Sequence, residues 1–261
     1  MCLILFALNA HPRYRLIVAA NRDEFYARPA AAAAFWKDAP QVFAGRDLAA
    51  GGTWLGITKT GRFAAVTNYR EPRTSKGVKS RGGLTKDFLV GNETPEDYLL
   101  EIEKAKNNYS GFNLLVGEIG ANETRLFYFS NRGEKPKKLS GGIYGLSNAL
   151  LNVDWHKVET SKARLTKTLQ TSGEINRQEL FEILADRRAA PDYKLPQTGI
   201  GIERERVLSP AFIETENYGT RLSTVLTVER GERISFTEKT FVGAAGGEVA
   251  QEFTLENFPS I

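Results

Sequence analysis

A chain of 261 residues with 41% hydrophobic and 25% charged residues has the composition of a folded globular protein and the length for one large domain. Basic residues exceed acidic ones only by 35 to 31, and they are dispersed, so nothing marks a nucleic-acid partner. One cysteine and two histidines exclude an internal disulfide and a cysteine-rich zinc site, and leave little scope for a histidine-built metal centre.

The chain opens Met1-Cys2-Leu3-Ile4-Leu5-Phe6-Ala7-Leu8-Asn9. The continuous apolar run predicts a buried strand over 2–9. It is too short for a transmembrane segment and no positively charged leader precedes it, so a reducing, cytoplasmic setting fits best. Removal of one methionine would make Cys2 the first residue. Its thiol is then a nucleophile once deprotonated, and its freed α-amine, with a reference pKa near neutrality, is a base on the same residue. The plainer reading, a small buried hydrophobe, stands beside it.

His11-Pro12-Arg13 predicts a turn and Tyr14 to Ala20 a second strand, a hairpin that delivers Asn21-Arg22-Asp23-Glu24 past its end. Arg28-Pro29 with Ala30 to Ala34 reads as a loop holding at most one helical turn, because the proline breaks the start and the alanine run is short. Phe43 to Asp47 is a second polar cluster behind an apolar stub. Gly51-Gly52 serves a tight approach or a positive-φ turn before a strand around Leu55, and Trp54 reads as core. Gly61 turns the chain into a strand over Arg62 to Thr67 that ends at Asn68. The basic stretch from Arg70 to Arg81 reads as a solvated loop able to attract phosphate or acidic lipid, which leaves room for peripheral membrane contact.

Leu84 to Val90 predicts a short helix. Thr94 as N-cap, Pro95 at the first position and Asp97 in the first turn mark another. Phe112 to Val116 and Arg125 to Phe129 read as an antiparallel pair joined by Gly120-Ala121-Asn122. Gly141 to Asn148 is a further strand ending in asparagine. Helices follow over Trp155 to Leu169 and after Asn176, where Glu179 completes a capping-box pattern. Residues 187–206 read as an exposed loop, Val207 to Ile213 as an edge segment, and Tyr218 to Val228, Ile234 to Lys239 and Val249 to Leu255 as closing strands. Without a repeat or a linker, the chain is expected to form a single domain over 1–261. Strands follow one another too directly for a doubly wound sheet, and the order suits two antiparallel sheets with helices outside.

No G-x-S-x-G elbow is present, and neither histidine, His11 in a turn or His156 at a helix start, compels a catalytic reading. A thiol attack on a carbonyl needs donors for the developing oxyanion, and Asn68 and Asn148 each end a strand, a rigid mount for an amide. Asp23 is the best-placed carboxylate for the amine. Arg22 and Arg221 are the arginines available to depress a thiolate pKa and orient that carboxylate. Singly, each of these residues is an ordinary turn or rim residue; their repeated placement at strand ends is what draws them together.

Met1-Cys2, Asn21-Arg22-Asp23-Glu24, Gly52-Thr53-Trp54-Leu55-Gly56, Thr67-Asn68-Tyr69-Arg70, Gly145-Leu146-Ser147-Asn148 and Gly219-Thr220-Arg221-Leu222-Ser223-Thr224 together resemble the transport and Golgi organisation protein 2 family, also called the Asn-Arg-Asp-Glu family, over nearly the whole chain. That family resembles the amino-terminal nucleophile hydrolases, with the cholylglycine hydrolase and penicillin V acylase group as distant cousins. The resemblance implies an α+β fold, a four-layer α-β-β-α sandwich. It implies Cys2 as nucleophile, Asp23 as the carboxylate near its amine, Asn68 as the oxyanion-side asparagine, Asn148 as a second active-site asparagine and Arg221 as a late arginine. Arg22 approximates an early arginine, at a spacing from Asp23 that departs from the cousins. Members of the family are linked to membrane traffic, lipid metabolism and haem movement. The expectation is therefore a cysteine hydrolase of a linear amide, an N-acyl compound with an apolar arm, needing no cofactor. The alternative is a carrier of haem or a lipid-like metabolite on the same scaffold, with no CxxCH signature for covalent haem attachment.

Overall fold

A computed structural model describes residues 2–72, 77–120, 123–242 and 247–256. The chain begins with the hairpin β1 (Cys2–Leu8) and β2 (Tyr14–Phe25), followed by β3 (Ala30–Phe35), β4 (Val42–Asp47), β5 (Leu55–Thr58) and β6 (Arg62–Asn68). Helices α1 (Arg81–Val90) and α2 (Pro95–Lys104) lead to β7 (Phe112–Ile119), β8 (Thr124–Ser130), the short β9 (Lys137–Lys138) and β10 (Gly142–Leu146). Helices α3 (His156–Thr168), α4 (Arg177–Leu184) and α5 (Ile202–Val207) precede β11 (Tyr218–Glu229), β12 (Arg233–Thr240) and β13 (Gly247–Thr254).

Among the described residues these strands form two antiparallel sheets, ordered β10-β1-β2-β11-β12-β13 and β3-β4-β5-β6-β7-β8-β9. The burial of β1 explains its unbroken apolar sequence. Ile4, Phe6 and Leu8 point into the core between the sheets, where they meet Phe63, Leu115 and Phe236. Leu3, Leu5 and Ala7 point the other way, onto Val158 and Leu165 of α3 and Leu180 and Leu184 of α4. A strand covered on both faces has no position left for a polar side chain. On the second sheet Ala64, Val66, Leu114 and Val116 pack beneath Leu84, Phe88, Leu99 and Ile102 of α1 and α2. The layers therefore run helix, sheet, sheet, helix, as the sequence implied. Each fully buried leucine or phenylalanine in these three cores contributes about 1.5 to 3 kcal/mol. No helix among the described residues is long and apolar enough to cross a membrane.

The structure departs from the sequence reading at several places. The second strand does not stop at Ala20: β2 carries the Asn-Arg-Asp-Glu quartet inside it, paired with both β1 and β11. Burial is possible there because the polar side chains find partners. The Asn21 amide donates to the carbonyls of Leu184 (2.9 Å) and Ala211 (2.8 Å) and accepts from the Ser223 hydroxyl (2.6 Å). The alanine run expected as loop is strand β3, and its pairing with β4 overrides alanine's helical preference. Helix α1 begins at Arg81 rather than Leu84. The stretch 187–206 contains the start of α5, with Glu205 buried, and 208–213 is irregular rather than a sheet edge, with Ala211, Phe212 and Ile213 buried. At α4 the Asn176 side chain accepts from the Gln178 amide, one position short of the capping-box geometry. Thr94 caps α2 through the Asp97 amide as expected. Ala121 and Asn122 of the expected Gly120-Ala121-Asn122 turn, and residues 73–76 of the Arg70 to Arg81 stretch, lie outside the described residues.

The glycine pair is of both expected kinds. Gly51 adopts φ +71°, and a Cβ on Gly52 would stand 2.4 Å from the backbone of Gly82 in α1. This close approach seats the start of α1 on the loop before β5, where it forms one wall of the site described next.

Candidate functional site

The site grows from strand register. Cys2 pairs with Arg22, and Arg22 pairs across the other side with Leu222, so three neighbouring strands place these residues in one row on the inner face of their sheet. Alternation then sends Asn21 and Asp23 to the helix side. Asp23 takes a hydrogen bond from the Thr220 hydroxyl at 2.7 Å, and the Thr220 oxygen in turn accepts from the Ile213 amide at 2.9 Å. A cleft of about 280 Å³ opens at this end of the sandwich, and Cys2, Arg22, Asp23, Trp54, Asn68 and Arg81 are among its walls. Trp54, expected in the core, both packs on it and faces the cleft.

Burial pushes the Cys2 thiol above its ordinary pKa; the Asp23 charge adds to the rise, while Arg22 and a hydrogen bond from the Asp23 amide oppose it. Burial likewise raises Asp23, against Lys157, Thr220 and Arg70, which favour its ionised form. Arg22 is 7% exposed. Its guanidinium lies 3.9 Å from Asp47, whose carboxylate is held more closely by Arg28 at 2.8 Å. Arg28, Arg46, Lys79 and Arg81 face Glu24 and Asp47 around the opening, so the cleft is polar and carries more positive than negative charge.

The two asparagines take different places. Asn68 lines the cleft. Asn148 is fully buried behind it, its amide donating to the Asn68 carbonyl at 2.9 Å and its own carbonyl accepting from the Arg70 amide at 2.7 Å. The neighbouring Ser147 hydroxyl donates to the Cys2 carbonyl at 2.9 Å. The Ser147-Asn148 segment thus ties the backbones of Cys2 and Asn68 together. Arg221 occupies the register shift between Thr220 and Leu222. It donates to the carbonyls of Phe25 and Tyr26, both at 2.9 Å, and to that of Arg28, fastening the turn that leads into β3. Among the described residues Cys2, Arg22, Asp23 and Asn68 share the cleft wall, while Asn148 and Arg221 support it from behind and from the side.

Neither histidine is on this wall among the described residues. His11 is buried, its ring engaged by the Thr171 carbonyl at 2.8 Å and the Arg13 amide at 3.1 Å. No group of three or more His, Cys, Asp or Glu suited to a metal ion occurs among the described residues.

Sequence reasoning missed the charged residues behind Asp23. Lys157 of α3 is 3% exposed, and burial lowers its pKa to about 8. Arg70 stacks over Trp155 at 4.5 Å and pairs with buried Glu205. The signal for Lys157 was present: it sits on the same helical stripe as Val158, Ser161 and Leu165, all buried. The signal for Glu205 was hidden in a segment read as loop.

Comparison with known proteins agrees with this architecture. Residues 1–243 match the family model described as Transport and Golgi organisation 2. The chain is 36% identical over 260 residues to the Transport and Golgi organization protein 2 homolog of Bos taurus, covering 94% of each chain. It is 34% identical over 258 residues to the Homo sapiens homolog, covering 93% of this chain and 94% of that one. Among solved structures, a Caenorhabditis elegans N-acylethanolamine-hydrolyzing acid amidase ortholog superposes with a TM-score of 0.52 at 12% identity, covering 86% of this chain and 92% of that chain. The likeness is one of fold, the sandwich of the amino-terminal nucleophile hydrolases. By sequence, the chain belongs to the Transport and Golgi organisation 2 family.

Proposed function

We propose that this chain is a cysteine-dependent hydrolase of a linear amide, an N-acyl compound, with Cys2 as its first residue after removal of Met1. The observation that carries the reading is the grouping of Cys2, Arg22 and Asp23 on one cleft wall with Asn68. The linear-amide class is taken from the name of the Caenorhabditis elegans amidase whose fold the chain shares. In this reading the Cys2 sulfur bonds to the amide carbonyl carbon as its proton passes to the Cys2 α-amine. The oxygen that becomes negative is met by the Asn68 side-chain amide, which Asn148 holds in place through the Asn68 carbonyl. The C–N bond breaks as the α-ammonium returns the proton to the leaving amine. Water, deprotonated by the same α-amine, then attacks the acyl-thioester; the C–S bond breaks, the carboxylic acid leaves, and the α-ammonium returns its proton to the Cys2 sulfur. Asp23 supports the ammonium form through the cycle, and Arg22 favours the thiolate.

Intact mass decides the first requirement: active material must begin at Cys2, and full retention of Met1 in active material refutes the mechanism. Against a panel of N-acyl amides, Cys2→Ala is expected to abolish hydrolysis. An electrophilic acyl analogue is expected to label Cys2 in the unaltered chain and far more slowly in Asp23→Asn. Hydrolysis that survives Cys2→Ala would sink the proposal.

A further inference from the structure

The cations around the cleft divide by what holds them. Arg46 is forked onto Asp38 at 2.6 and 2.7 Å, and Arg28 donates to Asp47 at 2.8 Å. Lys79 stands exposed at the rim. Arg22 and Arg81 are held differently. Arg22 is 7% exposed, yet its guanidinium makes no hydrogen bond among the described residues; its one ion pair there is the 3.9 Å approach to Asp47. The carboxylates nearest to it are engaged elsewhere. Asp47 gives one oxygen to Arg28 and the other to the amides of Ala49 and Ala50. Glu24 accepts from the Phe25 amide at 2.9 Å, Glu238 from the Ala33 amide at 2.9 Å, and Asp23 from the Thr220 hydroxyl on the helix side. In the processed chain the Cys2 ammonium adds a further positive charge, set against Asp23 in the proposed mechanism.

Arg81 begins α1, on the cleft wall that packs on the second sheet. It is half-buried, and among the described residues its guanidinium donates only to the Gly111 carbonyl, at 3.1 Å, with no carboxylate at ion-pairing distance. Burial lowers its pKa, and the charges that act on it most are those of Cys2, Glu24 and Arg28, all on the cleft. Ser80 gives α1 no side-chain cap, so the helix start adds backbone donors beside Arg81. Burying a guanidinium without a partner is costly. Its planar fork of N–H donors is matched by the oxygens of a carboxylate or a phosphate.

We propose that Arg22 and Arg81, reaching the cleft from its two sides, clamp an oxyanion, carboxylate or phosphate, carried by the N-acyl compound, and so select acidic amides over neutral ones. Cys2 and Arg22 face each other in the strand register, which puts that oxyanion within a few bonds of the attacked carbonyl. The inference rests on the proposed hydrolase reading and names the substrate class for its cleft.

The test reads binding apart from turnover. Chains carrying Cys2→Ala, shown by mass to begin at residue 2, are titrated calorimetrically with probes that share one acyl arm. N-octanoylethanolamine is uncharged, N-octanoylglycine carries a carboxylate, and N-octanoyl phosphoethanolamine carries a phosphate. At least one acidic probe is expected to bind about tenfold more tightly than the neutral one, and the acid that gains more names the oxyanion. Arg22→Leu and Arg81→Leu are each expected to cut that preference about tenfold. Arg81→Lys, a point charge without the fork, restores it only in part. Arg22→Gln and Arg81→Gln replace the leucine variants if those do not fold. Equal affinity for all the probes, or binding of none, overturns the inference, as does an acid preference that survives loss of both arginines. Acid binding without amide hydrolysis by the unaltered chain refutes the hydrolase reading and leaves the clamp intact. Hydrolysis of neutral and acidic probes at equal rates, indifferent to both arginines, does the reverse.

Discussion

Glu238 offers a sharp test of how the two sheets are joined. It lies on β12, 1% exposed, and crosses to the other sheet, where its carboxylate accepts from the Ala33 amide at 2.9 Å. Ala33 sits in the irregularity of β3 between Ala31 and Ala34, so the glutamate satisfies an amide that the ladder leaves over. Burial pushes its pKa up to about 7 from an ordinary 4.5, although the Ala33 bond and the Arg22 charge favour ionisation. A carboxyl raised in the folded state binds its proton more tightly there than in the unfolded chain. Its contribution is therefore fully present below about pH 4.5, falls as pH rises, and is lost above about pH 7. A span of roughly 2.5 units corresponds to about 3 kcal/mol. Glu238→Gln keeps an acceptor for Ala33 and cannot ionise. It is expected to match the parent near pH 4.5 and to exceed it by about 3 kcal/mol at pH 8 in urea unfolding. Equal stabilities at pH 8, or a variant weaker there, would show that the carboxylate is compensated by its surroundings and that burial does not dominate.

Three further perturbations probe the scaffold. Gly52→Ala drives a Cβ into the Gly82 backbone and is expected to cost about 1 to 3 kcal/mol while shifting the α1 wall and the Cys2 alkylation rate; Gly51→Ala, strained by φ +71° but facing open space, should cost about 1 kcal/mol and spare that rate. Arg221→Met leaves the carbonyls of Phe25, Tyr26 and Arg28 without their donor and should cost about 2 to 4 kcal/mol in denaturant titration; slower Cys2 alkylation with no loss of stability would contradict its role as a fastening of the turn. Phe6→Ala empties a position stacked on Tyr144 at 4.9 Å and should cost about 3 to 5 kcal/mol, with a change below 1 kcal/mol refuting the assignment of β1 to the centre of the sandwich.

What could be read from the sequence follows from where each residue finds its partner. The strand β1 was legible because both of its faces are covered, and a two-sided core writes an unbroken apolar run into the chain. Helix α2 was legible because Thr94 and Asp97 satisfy each other within one turn. The full extent of β2 was not, because the groups that admit Asn21 and Asp23 to the interior lie 202 and 197 residues away, in Ser223 and Thr220. Strand β3 was lost for a related reason: five alanines carry no strand signal, and pairing with β4 decides their conformation.

The candidate site divides along the same line. Cys2, Arg22 and Asn68 stand at positions that strand ends and register place on the cleft, so local reading found them. Asn148 was found as a residue at the end of a strand, yet its geometry gives it a different task, since its amide is committed to the Asn68 backbone. Arg221 was marked by an arginine among apolar neighbours, and its three carbonyl partners explain how that charge is borne. The charges of Lys157, Arg70 and Glu205 come from three separate elements, and no local pattern announces their meeting. Yet Lys157 and Arg70 favour the ionised Asp23 carboxylate from the helix side of the sheet, and Glu205 pairs with Arg70. A thiol 7% exposed whose pKa is raised by burial is a poor nucleophile unless its neighbours are charged in the right sense. The chemistry available to Cys2 is therefore set as much by this hidden layer as by the residues that face the cleft.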